Sequence, residues 1–193
     1  MRSGGSTRGG TRHEGRVDVF RIAARVLQCV LLVLLAGMHG VAVHADDRLL
    51  APPVGKVLLT VAGNIGNANQ ADVAALDESA LRMLPRHAIE TATVVTDGVR
   101  RFEGFLMRDL LEMVGAQGRV VRASALNDYV IDIPMQDFQR FDVLVATHMD
   151  GVRLLPRDKG PFWIVYPRDA HEELQDIRYD YRWVWQLIRL EVK

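Results

Sequence analysis

The chain has 193 residues, 49% of them apolar, with 24 basic and 24 acidic side chains and one cysteine. This is enough for one domain with a real core. It excludes an intrachain disulfide, and the balanced charge argues against the clustered Lys and Arg that nucleic acid requires.

Residues 1–45 read as a leader. Six arginines are scattered through a Gly-, Ser- and Thr-rich start, and an apolar run, "VLQCVLLVLLAGM", follows. A bilayer span needs about 20 apolar residues, so this run is short for a transmembrane helix. It exits through "VAVHA", with small residues at Val43 and Ala45. A basic start, a short apolar centre and a small-x-small exit predict a secretory signal peptide cleaved after Ala45. An uncleaved anchor helix and a later true start are the alternatives, and neither removes the expectation of export. The domain proper is then 46–193. Six of the 24 basic and two of the 24 acidic groups lie in the leader, leaving 18 against 22 and a net charge of −4. The only cysteine, Cys29, also lies in the leader, within the apolar run and not at its end, so it is not placed for lipidation.

In the domain, "KVLLTVAG" (56–63) predicts a first strand ended by Gly63 and a turn-rich segment. "DESALRMLP" (77–85) predicts a short helix capped by Asp77 and closed by Pro85. "HAIETATVV" (87–95) alternates as a strand, and "TDG" turns the chain. In "FLMRDLLEMVGAQG" (105–118), Met107, Leu110, Leu111 and Val114 fall on one helical face, with Gly115 at the cap. "RVVRAS" and "YVIDI" flank "ALND" as a hairpin, and "PMQDFQRF" predicts one helical turn. "DVLVATHM" reads as a buried strand, Asp150-Gly151 as a hairpin turn, and "DKGP" as a turn before the strand "FWIVYP". "YDYRWVWQLIRLEV" ends in a strand-like run. Six to eight short strands and two or three short helices follow. They lack the regular strand–helix alternation of a doubly wound sheet, so the expected class is α+β, rich in β.

Four segments, taken together, are distinctive: "TDGVRRFEGFLMRDLLEMVG", "ALNDYVIDIP", "DVLVATHMDGVRLLPRDKGPFWIVYP" and "YRWVWQLIRLEV". Their order and spacing resemble the molybdopterin-binding domain of the sulfite oxidase family, most closely its small exported single-domain members. The "FEG" before "RDLL" and the "GPFWIVYP" strand after the Asp-Gly hairpin are the most specific parts. The resemblance runs from about residue 56 to 193. It implies the sulfite oxidase middle-domain fold, β-rich with a few short helices.

In catalytic members of that family, the resemblance implies, a cysteine on the loop after the strand matching "IETATVV" binds molybdenum, a soft metal suited to a thiolate. Here that region reads Thr93, Val94, Val95, Thr96, Asp97, and the ligand has no counterpart. Folded molybdenum proteins usually leave the cytoplasm through a twin-arginine leader. This leader has no adjacent arginine pair, since Arg21 and Arg25 are separated.

Thr96, Asp97, Arg100, Arg101 and Glu103 form the first candidate site, read as an anion or pterin-like pocket at a strand-to-helix transition. Arginine offers a planar fork of donors to phosphate or carboxylate. The competing reading is an exposed turn with a local Glu103–Arg pair. Asn127 and Tyr129 at the second hairpin, Lys159 in "DKGP", and Tyr166 at a strand end complete the ligand candidates, each with a structural role as the competing reading. Other chemistries are poorly supported. "HEEL" lacks the second histidine of a zinc protease helix, His148 and Asp150 make a weak metal pair, and neither Ser79 nor Ser124 sits in a nucleophile elbow. Trp163, Trp183 and Trp185 read as core or rim packing.

These readings predict a periplasmic or secreted protein that binds a small anionic or pterin-like ligand, or an envelope sensory partner, without redox chemistry. No cofactor is expected, no nucleic acid, and no membrane contact except through an uncleaved leader. The alternative is a molybdopterin-dependent oxidoreductase whose metal has a non-cysteine ligand.

Overall fold

The computed structural model describes residues 50–193. The chain divides into units at Ala45 and Asp46; the expected leader lies outside the described residues. Among the described residues, no helix is long and apolar enough to cross a membrane.

Among the described residues, ten strands form two five-stranded sheets. The first sheet runs β2-β1-β10-β5-β6, built from β1 (Leu59–Gly63), β2 (Ala74–Leu76), β5 (Val120–Ala125), β6 (Val130–Pro134) and β10 (Leu187–Val192). Its one parallel pair joins β1 to β10, with Thr60 opposite Arg189 and Gly63 opposite Val192. The second sheet runs β3-β4-β7-β8, from β3 (His87–Ala92), β4 (Val99–Leu106), β7 (Leu144–Met149) and β8 (Val152–Arg153), with β9 (Trp163–Val165) also paired to β7. Four short α-helices are interspersed: α1 (Glu78–Leu81), α2 (Met107–Met113), α3 (Met135–Arg140) and α4 (Ile177–Asp180). Two 3-10 turns, Arg168–Ala170 and Glu172–Gln175, precede α4.

The β-rich α+β class expected from sequence is the observed one. The element count was low, because β2 and β8 span only three and two residues. Runs that short carry no readable period. A larger difference concerns Val99–Leu106, expected to lead from a turn straight into a helix. It is the eight-residue strand β4, and α2 begins only at Met107. The four expected apolar positions of α2 hold: Met107, Leu110, Leu111 and Val114 are all buried. Gly115 follows at φ 61°, the left-handed position for which glycine has no steric penalty.

β7 has neighbours on both edges, and its first residues Leu144, Val145 and Ala146 are fully buried. This accounts for an unbroken apolar run with no alternation. Opposite it, β4 carries a register shift between Glu103 and Gly104. A Cβ on Gly104 would lie 2.0 Å from the Val145 carbonyl oxygen, so only glycine fits this close approach. The Asp150-Gly151 turn joins β7 to β8, with both residues at positive φ, the conformation a two-residue hairpin demands.

The sheets share one core. Leu59, Val61 and Leu190 from the first cluster with Phe102, Leu144 and Ile164 from the second. Backbone bonds tie them where β9 meets the chain entering β10: Ile164 N–H donates to the Val184 carbonyl at 2.9 Å and Leu187 N–H to the Phe162 carbonyl at 3.0 Å. The N-terminal segment is fastened by Asp77. Its carboxylate caps α1 through Ala80 N–H at 3.0 Å and accepts from Val54 and Gly55 N–H, both at 2.8 Å. The hydrogen bond from the Ser79 hydroxyl, followed by those from the Ala80 and Gly55 amides, holds this carboxyl well below the usual carboxylate range.

A carboxyl with a depressed folded-state pKa contributes stability above its unfolded value of about 4, and that contribution is lost as pH falls toward the folded value. Urea denaturation of residues 46–193 should therefore show wild-type stability falling more steeply below about pH 4 than that of Asp77→Asn. Equal slopes would remove Asp77 as the acid-sensitive fastening.

Candidate functional site

The site is built around the loop that follows β3. The end of β3 is held by Asp169, whose carboxylate accepts from Ala92 N–H at 2.7 Å while its own N–H donates to the Thr91 hydroxyl at 3.2 Å. Beyond it, the Thr93 and Thr96 hydroxyls share a hydrogen bond of 2.8 Å, and Thr93 Oγ1 accepts from Val95 N–H at 3.1 Å. The two threonines close the loop on itself and leave Val94 and Val95 exposed at its tip.

The β5–β6 hairpin faces this tip. Asn127 Oδ1 accepts from Tyr129 N–H at 3.2 Å, and Asp128 sits at φ 63°, the turn chemistry that Asn and Asp favour. Tyr129 then donates its hydroxyl to the Tyr181 carbonyl at 2.7 Å, linking the hairpin to the segment after α4. Burial first, and then the neighbouring Tyr181, raise the Tyr129 phenol pKa, so it stays a neutral donor.

Between these pieces lies a cavity of about 380 Å³. Val94 and Val95 form one wall, Asn127 and Tyr129 a second, and Ile177, Asp180 and Tyr181 a third, with Trp183 and Trp185 as the remaining aromatic surface. Trp183 is almost fully buried. Its indole Nε1 has no hydrogen-bond partner, nor has Asp180 Oδ1, which lies 3.9 Å from Arg168 Nε, also buried and without a hydrogen bond. All three atoms are shut off from solvent behind the cavity wall, where Asp180 and Arg168 offset each other's charge and the Trp183 indole N–H is packed without a partner.

Of the candidates named from sequence, Asn127 and Tyr129 line this cavity, and Thr96 shapes its loop. The rest lie elsewhere. Asp97 is exposed at the β3–β4 turn. Arg100 and Arg101 are neighbours on β4, so they point to opposite faces of the sheet. Arg100 Nη1 donates to Asp150 Oδ2 at 3.2 Å, and Arg101 Nε to Glu103 Oε1 at 3.1 Å. Lys159 sits with its ammonium 5.6 Å from the Trp163 ring centre and 3.5 Å from Asp158. Tyr166 is fully buried, and its hydroxyl donates to Asp137 Oδ2 at 2.8 Å. Burial and then the Asp137 charge push that phenol well above its ordinary pKa. Sequence reasoning placed Trp183 and Trp185 in the core or at a rim and passed over Asp180 and Ile177. The density of aromatics in "YDYRWVW" was the available signal.

The chemistry of the cavity can be set against the families whose sequences this one matches. Residues 79–170 match the family model of the oxidoreductase molybdopterin binding domain. The match bears out the resemblance read from the sequence, and the β-rich α+β fold agrees with it. The segment from α1 to the first 3-10 turn thus matches a molybdopterin-binding oxidoreductase domain. The aromatic wall from Ile177 to Trp185 lies beyond the matched span. No curated protein matches the chain.

The cavity's donors do not fit the molybdenum cofactor. That group needs a soft ligand for the metal and cationic donors for its phosphate. Valines occupy the loop, no cysteine exists after residue 29, and no Lys or Arg is among the lining residues. Among the described residues, no three His, Cys, Asp or Glu side chains gather to hold a metal.

The wall beyond the matched span is held by one buried carboxylate. Asp137 on α3 accepts from both Tyr166 and Arg182. Removing one partner of a buried ion pair costs about 3–5 kcal/mol, and one hydrogen bond about 1 kcal/mol. Asp137→Ala should lower the unfolding free energy by about 3 kcal/mol or more, and Tyr166→Phe by about 1 kcal/mol. Denaturant titration of both variants measures this, and an Asp137→Ala cost below that of Tyr166→Phe would contradict it.

Proposed function

We propose that this protein is an exported, non-redox binding module that retains a molybdopterin-binding-domain scaffold and uses its aromatic cavity to hold a small planar ligand in the periplasm or outside the cell. The observation that carries this reading is the loop after β3: residues 93–97 include no cysteine, and Val94 and Val95 at its tip face Tyr129, Trp183 and Trp185.

Aromatic walls favour a planar ring system through offset stacking and edge contacts, each worth about 0.5–1.5 kcal/mol beyond burial. Asn127 and the Tyr181 phenol at the cavity's edge can offer donors and an acceptor to the rim of a pterin or similar heterocycle. The lack of a lining cation argues for an uncharged ring rather than the anion expected from Arg100 and Arg101. The exposed apolar rim, Val94, Val95, Ile177 and Tyr181, also suits a side chain of an envelope partner. The competing reading is a true molybdopterin oxidoreductase with an oxygen ligand or water on the metal.

Protein purified from its native cell envelope separates the readings. The expected result is molybdenum far below one atom per chain and no cofactor-derived pterin phosphate. Stoichiometric molybdenum with substrate turnover would overturn the non-redox reading. With residues 46–193, a simple oxidised pterin should quench tryptophan fluorescence saturably. Trp185→Ala should weaken that binding by about tenfold, equivalent to about 1.4 kcal/mol.

A further inference from the structure

A second cavity, of about 390 Å³, opens where α1, β4, β7 and β8 meet. Nothing in the site described above uses it. Its floor is apolar: Leu58, Leu81, Leu84, Phe105 and Phe162, with the two phenylalanine rings edge-on at 6.1 Å between centroids. Its mouth is cationic, with Arg82 and Arg86 from the connection after α1, Arg153 from β8, and Glu78 as the one lining carboxylate.

The charges at the mouth are organised. Glu78 Oε1 accepts from Arg82 at 2.7 Å and Arg153 at 3.4 Å, drawing both guanidiniums to the opening. These bonds, first Arg82 and then Arg153, lower the Glu78 pKa and keep it ionised. Arg86 lies 3.7 Å from Glu103 on β4, whose other oxygen is taken by Arg101. His148 stands at the edge of the cavity, its Nδ1 2.9 Å from the Thr147 hydroxyl. The groups around it are Arg86 from the segment before β3, Arg153 on β8, Glu103 on β4, and Glu78 and Arg82 on and beside α1. Burial first, then Arg86 and Arg153, lower its pKa against the opposing pull of Glu103.

Three guanidiniums at the rim meet two carboxylates, Glu78 and Glu103, which leaves one positive charge unmatched above an apolar floor and suits a negative charge carried on an apolar body. We propose that this cavity is a second ligand site, for a single-chain amphipathic anion: an apolar tail seated on Phe105 and Phe162 with a carboxylate or comparable headgroup between Arg86 and Arg153. The volume lies in the range of small-molecule sites, about 300–1,000 Å³. Arginine's fork pairs with such a headgroup in two-point fashion. The site is independent of the aromatic cavity, since the two share no lining residue.

The test uses residues 46–193 with decanoate as the probe, read by titration calorimetry and by shifts of the Phe162 and His148 resonances. Decanoate is expected to bind at one site and to move those resonances but not the Trp185 indole. 1-Decanol and inorganic phosphate should each bind at least tenfold more weakly. The Arg86→Ala/Arg153→Ala variant should lose at least tenfold in affinity; both side chains are largely exposed, so its thermal unfolding should match wild type. Lowering the pH through the histidine range should tighten decanoate binding, and His148→Gln should abolish that dependence. Equal binding of decanol would refute the role of the arginines, and equal binding of phosphate would refute the apolar floor. Shifts confined to Trp185 would place the ligand in the other cavity. Binding to anionic-lipid vesicles without binding to free decanoate would make the surface a membrane contact and overturn the proposal.

Discussion

Asp137 is the constraint on which the site depends. It is a nearly buried carboxylate on a six-residue helix, and it accepts from Tyr166 on one side and Arg182 on the other. Through Tyr166 it fixes the end of the strand that pairs with β7. Through Arg182 it fixes the segment between α4 and β10, which supplies Tyr181, Trp183 and Trp185 to the cavity. A buried charge without its partners is costly, so the three groups hold one another in place. The aromatic contacts around them, Tyr166 with Tyr179 at 6.0 Å and with Trp183 at 6.3 Å, then set where the tryptophans stand. The segment has little regular structure of its own, and its position is borrowed from this network.

The cavity floor and the loop tip illustrate how a scaffold can keep its shape while its chemistry changes. Thr93 and Thr96 close the loop by hydrogen bonds that do not involve the side chains at its tip. Val94 and Val95 are therefore free of any part in holding β3 to β4, and as aliphatic groups they make this corner of the cavity apolar.

The charged residues follow a different logic. Arg100 and Arg101 drew notice as a pair, but strand geometry separates adjacent side chains, and each finds a local acid. Exposed pairs of this kind contribute little to stability. Arg82 and Arg86 lie four residues apart after α1 and Arg153 is about 70 residues further on, yet packing α1 beside β8 brings all three to one opening. The fold gathers these arginines, while it parts the two that are adjacent in the chain.

The sequence by itself determined much. Apolar periodicity identified the buried face of α2. Asp150-Gly151 announced the β7–β8 turn and Asp77 the cap of α1, and a single cysteine at residue 29 excluded an intrachain disulfide. Each is local: a few neighbouring residues contain the whole physical cause. Tertiary structure alone decided that Val99–Leu106 is a strand, because its extended form is imposed by β3 and β7 on its two sides and not by its own pattern. It also decided that Tyr166 is buried against Asp137, that Tyr129 meets Tyr181, and that Trp183 and Asp180 stand beside two valines. Those contacts join residues about 30 to 90 positions apart, and no local pattern encodes which distant partner a side chain will find, since that is fixed only when the sheets close on a common core.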